Sequence, residues 1–246
     1  RKWNPLPGQT PLLPNWGKAP SFLESKAPNW RILIPEVGYP NPRDPGIAAT
    51  LELGEANSSR RTPEMTEIAR FWSQGAKTVT PVGQWNRIAQ DAADRMRLLH
   101  SEEIRLFAEL NVALVEASIH CWKNKYDLLV QRPLQIAVAS GRKEWKSFIG
   151  TPPHPEYPSG HSTFSAAAAE ILQSWAAEFG LPLGRPGSVR VTSEDLPGVV
   201  RKFKDFREAA REAGMSRIYG GIHFRWSDEE GQALGKKIGI ATIKDL

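Results

Sequence analysis

Two features that would assign a sequence to a disulfide scaffold or to a membrane are missing from this one. The 246 residues include a single cysteine, Cys121, so no disulfide can form within the chain. The most apolar stretches, such as EILQSWAAEFG and IGIATIKDL, are interrupted by charged residues and fall short of a membrane-spanning helix. We therefore exclude a disulfide-stabilised scaffold and predict no membrane partner, while one cysteine does not by itself decide the compartment.

Strand-like alternation of apolar and polar residues is also scarce, and the sequence has no internal repeat. Apolar residues instead recur at helical spacing, most clearly between residues 80 and 129. A chain of 246 residues is long enough for a substantial hydrophobic core. We therefore predict an all-α fold.

The composition of the chain changes near residue 60. Residues 1–60 are rich in Pro, Gly and Asn, which predicts an irregular segment. Its predicted contacts with the body of the protein are Trp3, Trp16, Leu23 and Trp30. Residues 61–246 carry the helical patterns and form the predicted helical-bundle domain. Because the chain does not begin with Met, we expect that a further N-terminal portion precedes it.

Capping residues and helix breakers predict the ends of the helices. Thr62 and Pro63 are typical of a helix start, and Ser101 is the predicted cap of the second of two helices within residues 80–129. A loop is predicted between Pro133 and residue 160. The remaining predicted helices cover residues 161–179, ended by Gly180, residues 196–214, ended by Gly214, and residues 228–246.

The formal net charge is +5. The basic residues do not form a stripe with interleaved aromatic residues, so we do not predict a nucleic-acid partner. A modest positive excess also suits an enzyme that attracts small anions. Three local clusters favour the anion.

The first cluster is KYDLLVQRP, in which Lys125 and Arg132 are seven residues apart. Two turns of a continuous helix would bring both cations to nearly the same face. Taken alone, such a pair is more often part of a solvated helix surface.

The second cluster follows the proline-rich stretch TPPHPEYP. If a helix begins near His161, Ser159 and Gly160 lie at its amino end, where free N–H groups and the helix dipole attract anions. Gly160 allows close approach of the backbone and Ser159 adds a hydroxyl. The simpler alternative is an ordinary serine cap with a packed histidine.

The third cluster is SRIYGGIHFRW, with Arg217 and His223 six residues apart. That spacing does not place both on one face of a straight helix, but Gly220 and Gly221 permit a break or a close backbone approach. The alternative is a salt-bridged arginine and a core histidine.

Taken together, the three clusters supply cations, a helix N-terminus and two histidines, which suit a tetrahedral oxyanion. A neutral histidine can attack such an anion or bind its central atom, and a second can transfer protons. The positive charge, and the lack of carboxylate or Cys/His ligand spacing, argue against an ordinary divalent metal.

The motifs Lys-x6-Arg-Pro, Pro-Ser-Gly-His and Ser-Arg-x5-His occur here in order, at Lys125–Pro133, Pro158–His161 and Ser216–His223. This set resembles the signature of the type-2 phosphatidic acid phosphatase superfamily. The stretches TPPHPEYPSGHSTFSAAAA, RFWSQGAKTVTPVGQWNRIA and WNPLPGQTPLLPNWGK resemble its bacterial vanadium haloperoxidases. The resemblance implies an all-α helical bundle of the haloperoxidase and acid phosphatase type. It also implies that these segments are the C-terminal part of a longer protein.

The resemblance implies a role for each motif residue around a vanadate cofactor. His223 would bind the vanadium, and His161 would take a proton from hydrogen peroxide. Lys125 would be a catalytic residue, like the two histidines, and would neutralise vanadate oxygens together with Arg132 and Arg217. Ser159 and the Gly160 amide would complete the cradle for the anion.

Two further positions are halide-pocket residues by resemblance, Trp122 and His154. A histidine at the second position resembles the algal bromoperoxidases, whereas chloroperoxidases tend to carry phenylalanine, so bromide or iodide is favoured over chloride. Core packing is an equal alternative for Trp122.

The partners that the resemblance implies are hydrogen peroxide, halide and small organic acceptors. Members of this group are often exported and often oligomeric, so we expect an exported protein and allow for a homo-oligomer.

Two departures from the family pattern leave partners open. The superfamily usually has Asp four residues after the last histidine, where this chain has Ser227 followed by Asp228. Relatives often have Asp where this chain has Gln74, which changes the partner of an arginine.

Two other functions use the same residues: a soluble acid phosphatase acting through a phosphohistidine at His223, and a basic helical module that binds phosphorylated ligands or nucleic acid without turnover.

Overall fold

The computed structural model describes residues 2–23 and 44–246. The predicted contact at Trp30 lies outside these residues. Within them the chain forms eight α-helices, a short 3-10 helix at Trp16–Lys18 and a two-stranded antiparallel sheet. The helices are α1 Pro45–Leu53, α2 Pro63–Phe71, α3 Thr80–Met96, α4 His100–Leu128, α5 Pro133–Ala139, α6 Gly160–Glu178, α7 Phe206–Tyr219 and α8 Arg225–Asp245. The strands are β1 Val189–Thr192 and β2 Val200–Phe203. The prediction of an all-α helical bundle is confirmed, with one small hairpin added.

Two helices occur where the sequence predicts irregular structure. Helix α1 lies within residues 1–60, where Asp44 caps it through the N–H of Gly46 and Pro45 occupies its first position. Helix α5 lies in the predicted loop after residue 133, and Pro133 is its first residue. Proline lacks the N–H that a first helical position leaves unpaired, so both prolines start helices. The division of the chain near residue 60 stays a prediction.

The predicted helix 196–214 is wrong at both ends. Within it, Val200–Phe203 is strand β2, which pairs with β1, and α7 begins at Phe206 after Asp205, whose side chain accepts the N–H of Glu208. Gly214 does not end α7, which continues to Tyr219. A Cβ at Gly214 would lie 1.9 Å from Asp228 Oδ1, so this glycine is needed for packing against α8.

The caps of the earlier helices are partly as predicted. Thr62 caps α2 by accepting the N–H of Met65, which confirms the predicted start. Ser101 is not the cap of α4, because it lies inside the helix. The capping position is Leu99, whose backbone N–H donates to Glu102 Oε2 over 2.6 Å. The glutamate therefore provides the cap that the serine was predicted to supply.

Helix α6 lies at the centre of the bundle and packs against α3, α4, α7 and α8. Its side chains are largely small, and α8 approaches it through a row of glycines. A Cβ at Gly235 would lie 2.1 Å from Thr163 O, and one at Gly239 would lie 2.8 Å from Ala167 O. The two backbones therefore touch along this row, which holds α8 firmly against α6.

The N-terminal segment 2–23 packs across the bundle. Trp3 and Leu23 are buried, and Trp16 donates its Nε1–H to Ser118 Oγ over 2.7 Å while its ring stays partly exposed. The carbonyl of Leu12 accepts from both Trp122 Nε1 and Tyr126 Oη. No helix among the described residues is long and apolar enough to cross a membrane.

Candidate active site

Lys125 and Arg132 lie on either side of a helix break. Helix α4 ends at Leu128, Leu129 adopts a left-handed conformation with φ of +52°, and Arg132 precedes Pro133 at the start of α5. The expectation that a continuous helix brings the two cations to one face is therefore wrong. The turn between α4 and α5 brings them together instead, and both side chains are buried.

Lys125 lies beneath the proline-rich loop before α6. Its Nζ donates to three backbone carbonyls, those of Pro155, Glu156 and Pro158. Burial lowers the pKa of Lys125 to about 7. The three carbonyl acceptors nevertheless match the three donors of an ammonium group. The lysine therefore holds the loop in place as well as adding positive charge.

Arg132 joins two of the histidines. Its Nη1 lies 3.0 Å from His223 Nε2 and also donates to the carbonyl of Ile222. Its Nη2 lies 2.9 Å from His154 Nδ1, and its Nε donates to the His154 carbonyl. Burial lowers the pKa of Arg132 to about 10. Because a guanidinium group only donates, His223 Nε2 is the acceptor in its contact with Arg132, whereas His154 Nδ1 also lies 3.2 Å from Pro155 O and its role depends on the tautomer.

Helix α6 begins with the predicted Ser-Gly-His sequence. Ser159 is the N-cap: its Oγ accepts from the N–H of Ser162 and hydrogen-bonds to the Ser162 hydroxyl over 2.8 Å. Gly160 is the first helical residue, so its N–H has no carbonyl partner within the helix. Ser162 also donates to Asp228 Oδ1 over 2.6 Å. The serine hydroxyl therefore serves the helix start, and the Gly160 amide is the group left for a ligand.

His161 retains partial exposure, yet its Nε2 atom is buried and has no hydrogen-bond partner among the described residues. The ring also hydrogen-bonds to the backbone of Trp72 and Ser73. Burial and the charge of Arg217 hold the pKa of His161 well below its usual value, so the ring is neutral near pH 7. A neutral ring with an unpartnered Nε2 is available to a ligand or a proton.

Arg217 lies in the last turn of α7 and is buried. Its Nη2 donates to Trp72 O over 2.6 Å, and its Nε donates to Ser216 Oγ over 2.8 Å. Burial lowers its pKa to about 9, and the Asp195 carboxylate acts in the opposite direction. Gln74 donates its backbone N–H to Asp195 over 2.6 Å, so Asp195 is held beside the chain segment that contacts Arg217.

His223 lies in the turn between α7 and α8 and is 2% exposed. Its Nδ1 lies 2.8 Å from Glu156 Oε1, and its Nε2 faces Arg132. Burial, Arg132 and Lys125 hold the pKa of His223 well below its usual value. The imidazole is therefore neutral, as a ligand nitrogen must be.

The two predicted halide-pocket residues are in contact. The rings of Trp122 and His154 lie 4.9 Å apart, and both residues are buried. The Trp122 ring also stacks on Phe164, and its Nε1 donates to Leu12 O over 3.2 Å. Trp122 is thus part of the core and of the cluster at once.

The structure brings the predicted residues into one buried, positively charged cluster. Its cations are Lys125, Arg132 and Arg217; among the described residues the Glu156 carboxylate acts electrostatically on Lys125 and Arg132, and the Asp195 carboxylate acts on Arg217. Buried cations in excess of carboxylates are costly unless an anion compensates them. This excess and the unpartnered Nε2 of His161 fit a tetrahedral oxyanion such as vanadate or phosphate. No group of three or more His, Cys, Asp or Glu within residues 2–23 and 44–246 could hold a metal cation.

Sequence reasoning missed Glu156. The sequence contains a signal for it, a lone carboxylate in a proline-rich loop three residues before Ser159. That signal does not indicate which side chain the carboxylate meets, because its partner is 67 residues away.

The fold and this cluster define an all-α protein with a buried site suited to an oxyanion. The chain belongs to the family of the VCPO second helical-bundle domain, whose family model matches residues 105–246.

Individual relatives support this assignment. The chain is 26% identical to the vanadium chloroperoxidase of Curvularia inaequalis over 264 residues, covering 82% of this chain and 42% of that protein. It is 31% identical to the vanadium-dependent bromoperoxidase of Ascophyllum nodosum over 103 residues, covering 38% and 18%. The crystal structure of a bacterial vanadium-dependent iodoperoxidase superposes with a TM-score of 0.85 at 30% identity, covering all of this chain and 60% of that one. The matched part of this chain therefore spans about half the length of the chloroperoxidase and of the iodoperoxidase, and 18% of the bromoperoxidase.

Proposed function

We propose that this protein is a vanadate-dependent haloperoxidase, which oxidises halide with hydrogen peroxide to a hypohalous acid-type species. The single observation that carries the proposal is the buried cluster in which three cations face neutral histidines. Family membership supports the choice of vanadate as the anion. When bound, vanadate supplies an electrophilic centre that activates hydrogen peroxide towards halide without changing its own oxidation state.

Some of the residues that would hold the cofactor can bind it directly, and others would first have to give up a hydrogen bond. His223 Nε2 is the proposed vanadium ligand, and its lone pair, which accepts from Arg132 Nη1, would have to exchange that hydrogen bond for the vanadium. Arg132 and Arg217 would neutralise the anion, and the Gly160 N–H would donate to it at the start of α6. Ser159 would have to exchange its bond with Ser162 for the ligand.

Lys125 would also stabilise the bound anion, from its position beneath the proline-rich loop. Its three carbonyl partners belong to the segment that leads into α6. The lysine would therefore stabilise negative charge at the site and fix the segment that presents Gly160. Preorganised positive charge of this kind does not have to be rearranged during the reaction.

His161 is the proposed acid–base residue. Its pKa lies well below the usual value, so the ring is unprotonated near pH 7 and can accept a proton from hydrogen peroxide. Its unpartnered Nε2 is the atom we assign to this transfer.

We propose bromide or iodide as the favoured halide, bound near Trp122 and His154. His154 at this position supports the choice, as does the iodoperoxidase among the structural relatives. His154 is neutral and its Nδ1 lies 2.9 Å from Arg132 Nη2, so this side chain adds no positive charge to the field of the guanidinium. A weaker field suits halides that are easier to oxidise.

The test is halogenation of a 1,3-diketone indicator by the purified chain with hydrogen peroxide and chloride, bromide or iodide. We expect activity only after orthovanadate is added, and loss of that activity in His223→Ala. His100→Ala is the matched control, because His100 is exposed and far from the cluster in sequence. Full halogenation by His223→Ala would refute the assignment.

A phosphatase is the second candidate, because the same His223 lone pair can attack phosphorus and the same cations suit phosphate. It predicts hydrolysis of p-nitrophenyl phosphate without vanadate and inhibition by vanadate. Vanadate-dependent halogenation without phosphate-ester hydrolysis would favour the haloperoxidase.

A further inference from the structure

The carboxylate that meets His223 does not come from the position that the family pattern indicates. The residue four positions after His223 is Ser227, whose Oγ lies 3.4 Å from His223 Nδ1, at the weak limit of a hydrogen bond. Asp228 is turned away, because its Oδ1 accepts from Ser162 and Gln232. The close partner is Glu156, whose Oε1 lies 2.8 Å from Nδ1.

The contacts on the two sides of the imidazole require the same tautomer. Arg132 can only donate, so His223 Nε2, 3.0 Å from its Nη1, carries a lone pair. The ring proton of the neutral histidine is then on Nδ1, where it is donated to Glu156 Oε1. A ligand histidine whose other nitrogen donates to a carboxylate is held in one tautomer and one orientation.

Glu156 is itself held in position. The Oε1 atom that meets His223 also accepts the backbone N–H of Phe224 over 3.0 Å. Glu156 is fully buried, and its backbone carbonyl accepts from Lys125 while its backbone N–H donates to Val130 O. The carboxylate therefore cannot leave the ring without a change in the surrounding loop.

We propose that Glu156 is the positioning residue for His223: it keeps the ring proton on Nδ1 and leaves the Nε2 lone pair on the side of the ring that faces Arg132. The proposal rests on the proposed function for the identity of the anion, but the tautomer of His223 does not depend on it. Glu156 thus replaces the carboxylate that the family pattern has four residues after the histidine. The alternative is that Glu156 only compensates the nearby cations.

Three variants separate these two roles. Glu156→Ala removes the carboxylate. Glu156→Asp keeps a buried carboxyl group but is one methylene too short to meet Nδ1 from the same backbone position. The double variant Glu156→Ala with Ser227→Asp restores a carboxylate on the other side of the same nitrogen. Ser227→Ala is the matched control.

The first measurement is the ¹⁵N chemical shifts of the His223 ring in the vanadate-free, histidine-labelled protein. We expect the proton on Nδ1 in the wild type and in Ser227→Ala, a mixture of tautomers in Glu156→Ala and Glu156→Asp, and recovery of the Nδ1 proton in the double variant. Unchanged shifts in both single variants at position 156 would overturn the proposal.

The second measurement is the dissociation constant for orthovanadate by calorimetry, with circular dichroism as a check of folding. We expect affinity to fall about 10- to 100-fold in Glu156→Ala and Glu156→Asp, and to return to within a few-fold of wild type in the double variant. If Glu156→Ala does not fold, Glu156→Asp decides the question. Wild-type affinity in Glu156→Asp would show charge compensation alone and overturn the proposal. A wild type that binds orthovanadate but oxidises no halide would refute the proposed function and leave this inference intact.

Discussion

The backbones of Gly54 and Gly221 are in direct contact. A Cβ at Gly221 would lie 2.2 Å from Gly54 O, and one at Gly54 would lie 2.1 Å from Gly221 Cα. Gly221 also has a φ of +73°, in the left-handed region that favours glycine. This contact joins the end of α1 to the turn that carries His223. A segment that lies before residues 105–246, the range matched by the family model, therefore positions a candidate site residue.

Gly221→Ala is therefore expected to destabilise the protein and to displace His223. The left-handed conformation costs an alanine about 1–2 kcal/mol, and the clash with Gly54 adds about 1–3 kcal/mol. Urea unfolding at neutral pH measures the free energy of unfolding. The control is Gly198→Ala, at a φ of +85° with no atom within 4 Å of the added Cβ, where about 1 kcal/mol is expected. Equal losses of unfolding free energy in the two variants would show that the contact with Gly54 adds nothing to the cost of the substitution.

The buried Lys125 predicts a dependence of stability on pH. Its pKa is lowered from 10.5 to about 7, so between these values the folded state binds fewer protons than the unfolded state. The stability that this group contributes is then present above the unfolded pKa and is lost as the pH falls towards 7. The free energy of unfolding of the wild type, relative to Lys125→Met, should rise between pH 7 and pH 10 by up to about 1.4 kcal/mol per pH unit.

Urea unfolding at several pH values in the absence of oxyanions tests this dependence. Lys123→Met is the control, because Lys123 is exposed on the same helix. A constant difference between wild type and Lys125→Met across this range would mean that Lys125 titrates as it does in the unfolded chain.

His154→Phe is expected to change the halide preference. Phenylalanine removes the polar ring nitrogen that lies 2.9 Å from Arg132 Nη2, so the guanidinium is less screened and the positive field at the anion site becomes stronger. Chloride, which is the hardest of the three halides to oxidise, should gain most. If the stronger field lowers the barrier for chloride by about 1.4 kcal/mol more than the barrier for bromide, the chloride-to-bromide ratio of kcat/KM rises about tenfold.

Steady-state kinetics with each halide and saturating orthovanadate measure that ratio. His100→Phe is the control, since His100 is 89% exposed at its side chain. An unchanged ratio in His154→Phe would remove this residue from the halide pocket.

Sequence patterns predicted much of this molecule because the features concerned are local. Thr62 and Pro63 start a helix through their own backbone geometry, and the Ser-Gly-His sequence starts α6 for the same reason. The helix 196–214 was predicted wrongly because β2 is stabilised by pairing with β1, a contact that single-segment periodicity does not contain.

The sequence by itself determined which side chains are available to the candidate site, the cations and histidines of three motifs and the helix start that presents Gly160. Only the tertiary structure decided how they meet. Arg132 reaches His223 because the chain turns after α4, and Glu156 meets the same ring from a loop 67 residues away. Such contacts depend on close packing between distant segments, which local propensity does not encode.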